Sequence, residues 1–111
     1  MTYCRDEKIR LHRAVEKTLE DWPVTVKVEL ADLLGLLSAG HSIGMPASRP
    51  MPSVAPGVSE LRIKERSGQY RVFYFTKRGD SILVFHVFKK KTQATPKHDI
   101  MVAKKRLEDF P

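Results

Sequence analysis

Alternation of apolar with polar or charged residues is clearest in the second half of the chain. A period of two residues is typical of β-strands with one buried face, and it predicts strands at about 60–66, 70–77 and 81–88. Glycine-containing segments of hairpin length, 67–69 and 77–80, separate these strands, which predicts that consecutive strands pair antiparallel. The third strand, SILVFHVF, is apolar on both faces, as is typical of the centre of a sheet.

The N-terminal part of the chain has a weaker pattern that allows two interpretations. Residues 8–13, KIRLHR, alternate basic and apolar side chains, which indicates a short half-buried strand. Leu11, Val15 and Leu19 also follow a helical spacing, which would extend a helix into the same segment. In either case residues 14–21, AVEKTLED, favour a helix, and the Trp-Pro pair that follows ends it because a residue before proline avoids helical geometry.

A second helix is predicted between Pro23, which is suited to a helix start, and Gly40, which is suited to a helix end. Apolar residues recur there at steps of three and four, at Val26, Leu30, Leu33, Leu34 and Leu37. Because only a proline-containing break separates the two N-terminal helices, we expect them to form an antiparallel helical hairpin.

Two further segments complete the predicted organisation. Residues 41–57 contain four prolines and three serines, which predicts a loop extended over the surface. Thr95-Pro96 begins a final helix with Ile100, Ala103 and Leu107 on one face. Because the helices need the sheet to bury their apolar faces, residues 1–111 are predicted to form one α+β domain.

Composition and charge narrow the class of protein. The chain has 111 residues and a net charge of +7, which favours a polyanionic partner such as nucleic acid, a phosphate-rich surface or an acidic protein. Its one cysteine, Cys4, allows no intrachain disulfide and no thiolate zinc cluster. The sequence has no run of about 18 apolar residues and a charged N-terminus, so we expect no transmembrane helix, no membrane partner and a cytoplasmic location.

Basic residues are concentrated on the predicted strands and at their ends. Alternation places Arg62, Lys64 and Arg66 on one side of the first strand, opposite Leu61, Ile63 and Glu65. Arg71 begins the second strand, and Lys89, Lys90 and Lys91 follow the third. Such a surface can be a solvated face that keeps the protein soluble, or a phosphate-binding surface, which the planar fork of arginine suits well.

The segments ELRIKERSGQYRVFYF, ILVFHVFKKKTQATP and AKKRL, in this order and spacing, resemble the RelE/HigB-type toxins of bacterial type II toxin–antitoxin systems, most of all the phage-associated HigB-like branch. The resemblance extends over about residues 8–110. It implies a compact fold in which a twisted antiparallel sheet of three to four strands carries an N-terminal helical hairpin and a C-terminal helix.

The resemblance also implies an activity and its partners. RelE-type toxins enter the ribosomal A site and cut mRNA without a metal or other cofactor. The 2′-hydroxyl attacks the adjacent phosphate and leaves a 2′,3′-cyclic phosphate and a 5′-hydroxyl end. A cognate antitoxin, of the helix-turn-helix type in this branch, neutralises the toxin.

Four cations are implied as catalytic by their motif positions. Lys64 is expected to act as the base, Arg62 and Arg71 to bind the phosphate, and Lys90 to act as the acid or as a phosphate clamp. Lys64 would need neighbouring cations to lower its pKa, since a lysine free in water titrates near about 10.4. The residues expected to contact RNA or the ribosome are Arg66, His86, Lys89, Lys91, Lys97, Lys104 and Lys105.

Histidines and aromatic residues allow a structural role as well. His86 shares the parity of Phe88 and Lys90, and a packed histidine with one hydrogen bond is favoured over a catalytic imidazole. His12 and His41 are expected at the surface. The last helix has no tyrosine, which some family members stack on a base, so only Phe110 or His98 could replace it. A set of four aromatic residues, Tyr70, Phe73, Tyr74 and Phe75, is expected in the core.

Two other functions stay open. A ParE-like toxin would inhibit DNA gyrase by binding and would not need the clustered cations. A plain basic nucleic-acid-binding module is also possible, although no known reader motif is present.

Overall fold

The computed structural model describes residues 8–77, 81–90 and 96–110 of the chain. Its elements in chain order are β1 (Lys8–Leu11), α1 (Arg13–Leu19), α2 (Val24–Ser38), β2 (Ser48–Pro50), β3 (Val58–Glu65), β4 (Gly68–Lys77), β5 (Ser81–Lys90) and α3 (Lys97–Leu107). The strands form one sheet in the order β1-β5-β4-β3-β2, so the predicted α+β class is confirmed. Within the described residues, no helix has the length and apolarity needed to span a bilayer.

The sheet has five strands, and the prediction of three to four antiparallel strands is wrong in number and in direction. The pairs β2–β3, β3–β4 and β4–β5 are antiparallel, whereas β1 is parallel to β5, with Lys8 opposite Ser81 and Leu11 opposite Val84. The strand interpretation of residues 8–11 is therefore confirmed and the helical one is wrong there. Edge strands of four and three residues are too short for a pattern of alternation to reveal their partners.

The three long strands agree with the sequence pattern and are slightly longer than predicted. The β3–β4 turn is held by Glu65, whose side chain accepts hydrogen bonds from the backbone N–H and the hydroxyl of Ser67, both at 2.6 Å. These bonds, together with one from Thr25, lower the pKa of Glu65. Of the predicted β4–β5 turn, residues 78–80 lie outside the described part of the chain.

A bulge interrupts the β4–β5 ladder. Phe73 is opposite His86, but the next residue, Tyr74, is opposite Val84. Because β5 has an extra residue here, Val84 and Val87 lie in the same core layer although they are three residues apart.

The helices cover both faces of the sheet. On one face, α1 packs against β5 and α2 against β3, and they enclose a core with Val15, Val26 and Leu61. On the other face, α3 packs against β5, and its Ala103 lies with Phe73 in a second core. The predicted hairpin of two paired helices is thus wrong in arrangement, because each apolar face is buried against the sheet and not mainly against the other helix.

The proline-rich segment 41–57 was predicted to be a surface loop, but it is more than that. It contributes β2 to the edge of the sheet. Proline is tolerated on an edge strand because no further strand pairs with it and needs its missing N–H donor. Met51 and Val54 are buried in the second core. The prolines therefore mark an ordered edge of the fold.

The end of the chain returns to its beginning. His12 was expected at the surface, but its Nδ1 accepts a hydrogen bond from the backbone N–H of Ala14 and caps α1. Its Nε2 therefore carries the proton and donates to Asp109 Oδ2 at 2.7 Å. Phe110 packs edge-on against the same imidazole and beneath the guanidinium of Arg10. His12 is therefore only partly exposed, with its side chain held at the surface by these contacts, and His41 is exposed as predicted.

Candidate functional site

The antiparallel ladders bring most of the predicted basic side chains to one face of the sheet, because residues directly opposite each other point to the same side. We call this surface the three-row face. Its first row consists of Lys64, Gln69 and Lys90, its second of Arg62, Arg71 and Phe88, and its third of Arg49, Glu60, Phe73 and His86.

The rows differ in their access to solvent. In the first row Lys64 and Gln69 are exposed and Lys90 is partly exposed, and in the second row Arg62 is partly exposed. In the third row His86 is buried, with its ring hydrogen-bonded to α3. An external ligand can therefore meet Lys64, Lys90 and Arg62 directly, whereas Arg71 lies beneath them.

Arg71 lies at the centre of the face and is only 1% exposed. Its Nη2 donates to Gln69 Oε1 at 2.8 Å, and its Nε is 3.7 Å from the carboxylate of Glu60, too far for a hydrogen bond. Among the described residues, Nε and Nη1 of Arg71 have no hydrogen-bond acceptor. Buried donors are nearly always satisfied, so these two are an unusual feature, and Arg71 adds positive charge directly beneath the exposed cations of the face.

The cations influence one another. Burial lowers the pKa of Arg71, Glu60 opposes this, and Arg62 and Arg49 lower it further. Burial is also the main cause that lowers the pKa of Lys90. Arg71, and after it Arg62 and Arg49, lower it as well, against Glu60. Lys90 thus has the environment that a proton-exchanging lysine needs, whereas Lys64, the base expected from sequence, is exposed at the other end of the row.

Other cations predicted to bind RNA are not members of the three rows. Lys89 is on the opposite face of the sheet, with its ammonium 5.8 Å from the ring centre of Tyr70. Arg66 is exposed in the β3–β4 turn, and three lysines are exposed on α3, namely Lys97, Lys104 and Lys105. Lys91 lies outside the described residues. A role of these cations in binding RNA stays a prediction.

His86 is a packed histidine with both ring nitrogens engaged. Arg106 Nη1 is 3.0 Å from Nδ1, and because a guanidinium can only donate, Nδ1 must accept. The proton is therefore on Nε2, which donates to Asp99 Oδ1 at 2.8 Å. Burial lowers the pKa of His86, aided by Arg106 and His98 and opposed by Asp99, so the ring is neutral near neutral pH.

The aromatic residues follow the prediction in large part. Tyr70, Phe73 and Tyr74 are buried, and Phe75 is partly buried. The hydroxyl of Tyr74 is 2.8 Å from that of Ser48, so β2 is tied to the central strands.

Three residues of the site were not found from the sequence. Glu60 has the parity of Arg62 and Lys64, so the alternation that revealed the cations also indicates this carboxylate. Gln69 is a polar residue at a turn and has no distinguishing pattern. Arg49 stands in a proline-rich segment, and the strand that contains it, β2, has only three residues, too few to show alternation.

Among the described residues, no group of three or more histidine, cysteine, aspartate or glutamate side chains could hold a metal ion.

Comparison with known proteins supports the superfamily suggested by the motifs. The family described as Phage derived protein Gp49-like (DUF891) matches residues 17–108. Because the match covers most of the chain, the chain belongs to this Gp49-like family, which is part of the RelE/HigB-type superfamily of toxins. The narrower placement in the HigB-like branch stays a prediction. No curated protein matches the chain significantly.

Proposed function

We propose that this protein is the toxin of a type II toxin–antitoxin system of the HigB-like branch and that it cuts mRNA on the ribosome. The observation that supports the proposal best is the buried Arg71, whose two unsatisfied donors lie among the cations of the first two rows. A scissile phosphodiester needs such a concentration of positive charge, because an additional negative charge develops on its oxygens in the transition state.

The residues of the three-row face can supply every proton transfer of the reaction without a metal. Lys90, whose pKa is lowered, accepts the proton of the 2′-hydroxyl as the 2′-oxygen–phosphorus bond forms. Arg62 and Arg71 stabilise the charge on the non-bridging oxygens. Lys64 gives a proton to the 5′-oxygen as its bond to phosphorus breaks, which leaves a 2′,3′-cyclic phosphate and a 5′-hydroxyl end.

These roles exchange the two lysines relative to the expectation from motif positions. A base must be unprotonated before it acts, and burial and the neighbouring Arg71 lower the pKa of Lys90 from its ordinary value. The role of the acid falls to Lys64, which is exposed at the other end of the same row.

The proposed partners follow from charge. The ribosomal A site with its bound mRNA is a polyanion, and a net charge of +7 favours its approach. We further propose that an acidic segment of a cognate helix-turn-helix antitoxin binds the first two rows and the adjoining β2 edge, where Arg49 is exposed. The reaction as written takes place in the cytoplasm, where ribosomes and mRNA are present.

The proposal can be tested by adding the purified protein to a bacterial cell-free translation reaction and mapping new 5′-hydroxyl ends of the message. We expect cuts only while the message is translated, and we expect Lys90→Ala and Arg62→Ala to abolish them. Lys17→Ala is the matched control, because it removes one exposed charge from α1 on the other side of the sheet.

Two outcomes would contradict the proposal. A message that stays intact during translation with the wild-type protein would exclude nuclease activity. When the protein is expressed in bacteria, growth arrest with intact messages and a DNA-damage response would instead favour the gyrase-inhibiting alternative.

A further inference from the structure

We propose that Phe88 is the platform on which a nucleobase of the bound RNA stacks, an inference that rests on the proposed function. Phe88 is partly exposed, unlike the two fully buried phenylalanines of the same core, Phe73 and Phe85. It is the one aromatic side chain in the first two rows of the three-row face.

The position of Phe88 next to the phosphate-binding groups fits a nucleotide. Phe88 lies directly opposite Arg71, and cross-strand partners have Cβ atoms about 4.5–5.5 Å apart. Lys90 is two residues further along the same strand and on the same face. A phosphate bound by the partly exposed Arg62 and Lys90 therefore has its own sugar and base within reach of the Phe88 ring.

The ring is already held in one orientation. The His86 ring stacks on it with a centroid distance of 5.4 Å and an interplanar angle of 26°. Phe73 contacts it edge-on at 5.5 Å. Because His86 is fixed by Asp99 and Arg106, the aromatic pair loses little additional freedom when a base binds.

Phe88 is partly exposed, so its ring can be reached by a base. In the described part of the chain, His86 and Phe73 are the only ring partners of Phe88, and no cation lies over it. A base stacked on the ring face opposite His86 would extend the His86–Phe88 stack to three rings. Such stacking tolerates any base, because every base has a π-face.

Binding of short single-stranded oligonucleotides with 2′-O-methyl groups tests the inference, because these ligands lack the attacking hydroxyl and are not cut. Each position in turn carries an abasic site, and affinity is measured by fluorescence anisotropy. For the wild-type protein we expect one abasic position to weaken binding by about tenfold. For Phe88→Leu we expect weaker binding of the intact ligand and an effect of less than about twofold at that position.

Phe75→Leu is the matched control. Phe75 is a partly buried phenylalanine of the same core, so the substitution removes an equal ring, but it should keep the tenfold abasic effect. Phe88→Trp should restore the effect and show quenching of tryptophan emission on binding. The wild-type protein corrects for Trp22, which is buried in the core on the opposite face of the sheet.

The inference would be overturned if the wild-type protein bound no oligonucleotide or showed no abasic effect at any position. It would also be overturned if Phe88→Leu kept the full effect. The failure of the proposed function has a different signature, namely a wild-type protein that leaves translated messages uncut. Because the abasic effect is a ratio within each variant, a modest loss of stability in Phe88→Leu does not imitate it.

Discussion

Arg62 and Arg71 lie directly opposite each other on β3 and β4, so two guanidinium groups share one face of the sheet. Like charges at opposed positions destabilise a sheet, and Arg71 is also removed from water. The carboxylate of Glu60 compensates the buried charge of Arg71 only in part, because it is 3.7 Å from Nε. Arg62 and Arg49 also oppose its effect on the pKa of Arg71. The fold therefore keeps a cluster of positive charge that its own stability does not require.

Replacing one of the opposed arginines should stabilise the protein while it removes activity. We expect Arg62→Gln to raise the free energy of unfolding by about 0.2–1 kcal/mol at low salt, and less at high salt because Arg62 is partly exposed. Urea denaturation at two ionic strengths measures this, with Arg66→Gln, at an exposed position of the β3–β4 turn, as the control. A lower unfolding free energy for Arg62→Gln at low salt would contradict the prediction.

The pair of Glu60 and Arg71 should show strong coupling. Glu60→Gln leaves a buried guanidinium without its counter-charge, so we expect a loss of about 3 kcal/mol or more in the free energy of unfolding. In the double variant Glu60→Gln, Arg71→Met neither charge remains, and most of that loss should be recovered. A double-mutant cycle by urea denaturation measures the coupling, and additive effects of the two substitutions would show that the pair does not interact.

Lys90→Arg separates charge from proton transfer. Arginine keeps the positive charge but cannot give up a proton in proteins, so we expect RNA affinity within a few-fold of wild type. Cleavage should fall by about 10²–10⁴-fold, which is the usual contribution of a general base. Single-turnover cleavage on translating ribosomes measures the rate, with Lys89→Arg on the other face as the comparison. A fully active Lys90→Arg would leave Lys90 only the role of a phosphate clamp.

The neutral state of His86 makes stability depend on pH. Because burial lowers its pKa in the folded protein, the unfolded chain binds more protons below the ordinary value of about 6.5. Stability should therefore be complete above that pH and decrease as the pH falls towards the pKa of folded His86. Protonation would also place a donor against the Arg106 guanidinium.

Thermal unfolding between pH 8 and pH 5 measures this dependence. His86→Gln should flatten the curve, because an amide can accept from Arg106 and donate to Asp99 without titrating. His41→Gln, at an exposed loop position, should keep the wild-type curve. An unchanged slope in His86→Gln would show that other groups carry the pH dependence.

The sequence predicts the central part of the fold well because three long strands alternate regularly between glycine-containing turns. It predicts the common face of Arg62, Lys64 and Lys90 for the same reason, and it gives His86 the correct parity. β1 and β2 are harder to predict, since short edge strands depend on the partners that the sheet offers them.

The burial of Arg71 could not be predicted from local pattern. An arginine in a strand is usually exposed, and only the cross-strand carboxylate of Glu60 and the neighbouring cations define its surroundings. The same limit applies to α3. Its apolar face is evident from Ile100 and Ala103, but the sequence does not say which side of the sheet that face will cover.

The position of β5 also bears on when the protein acquires its shape during synthesis. This strand is flanked by β1 from the start of the chain and by β4, and it is covered by α1 on one side and α3 on the other. The contacts of His12 with Asp109 and Phe110 cannot form until those partners, 97 or more residues further along, have emerged. Until α3 has been synthesised, β5 lacks its cover on one face of the sheet. The three-row face is therefore incomplete while the chain is still attached to the ribosome that makes it.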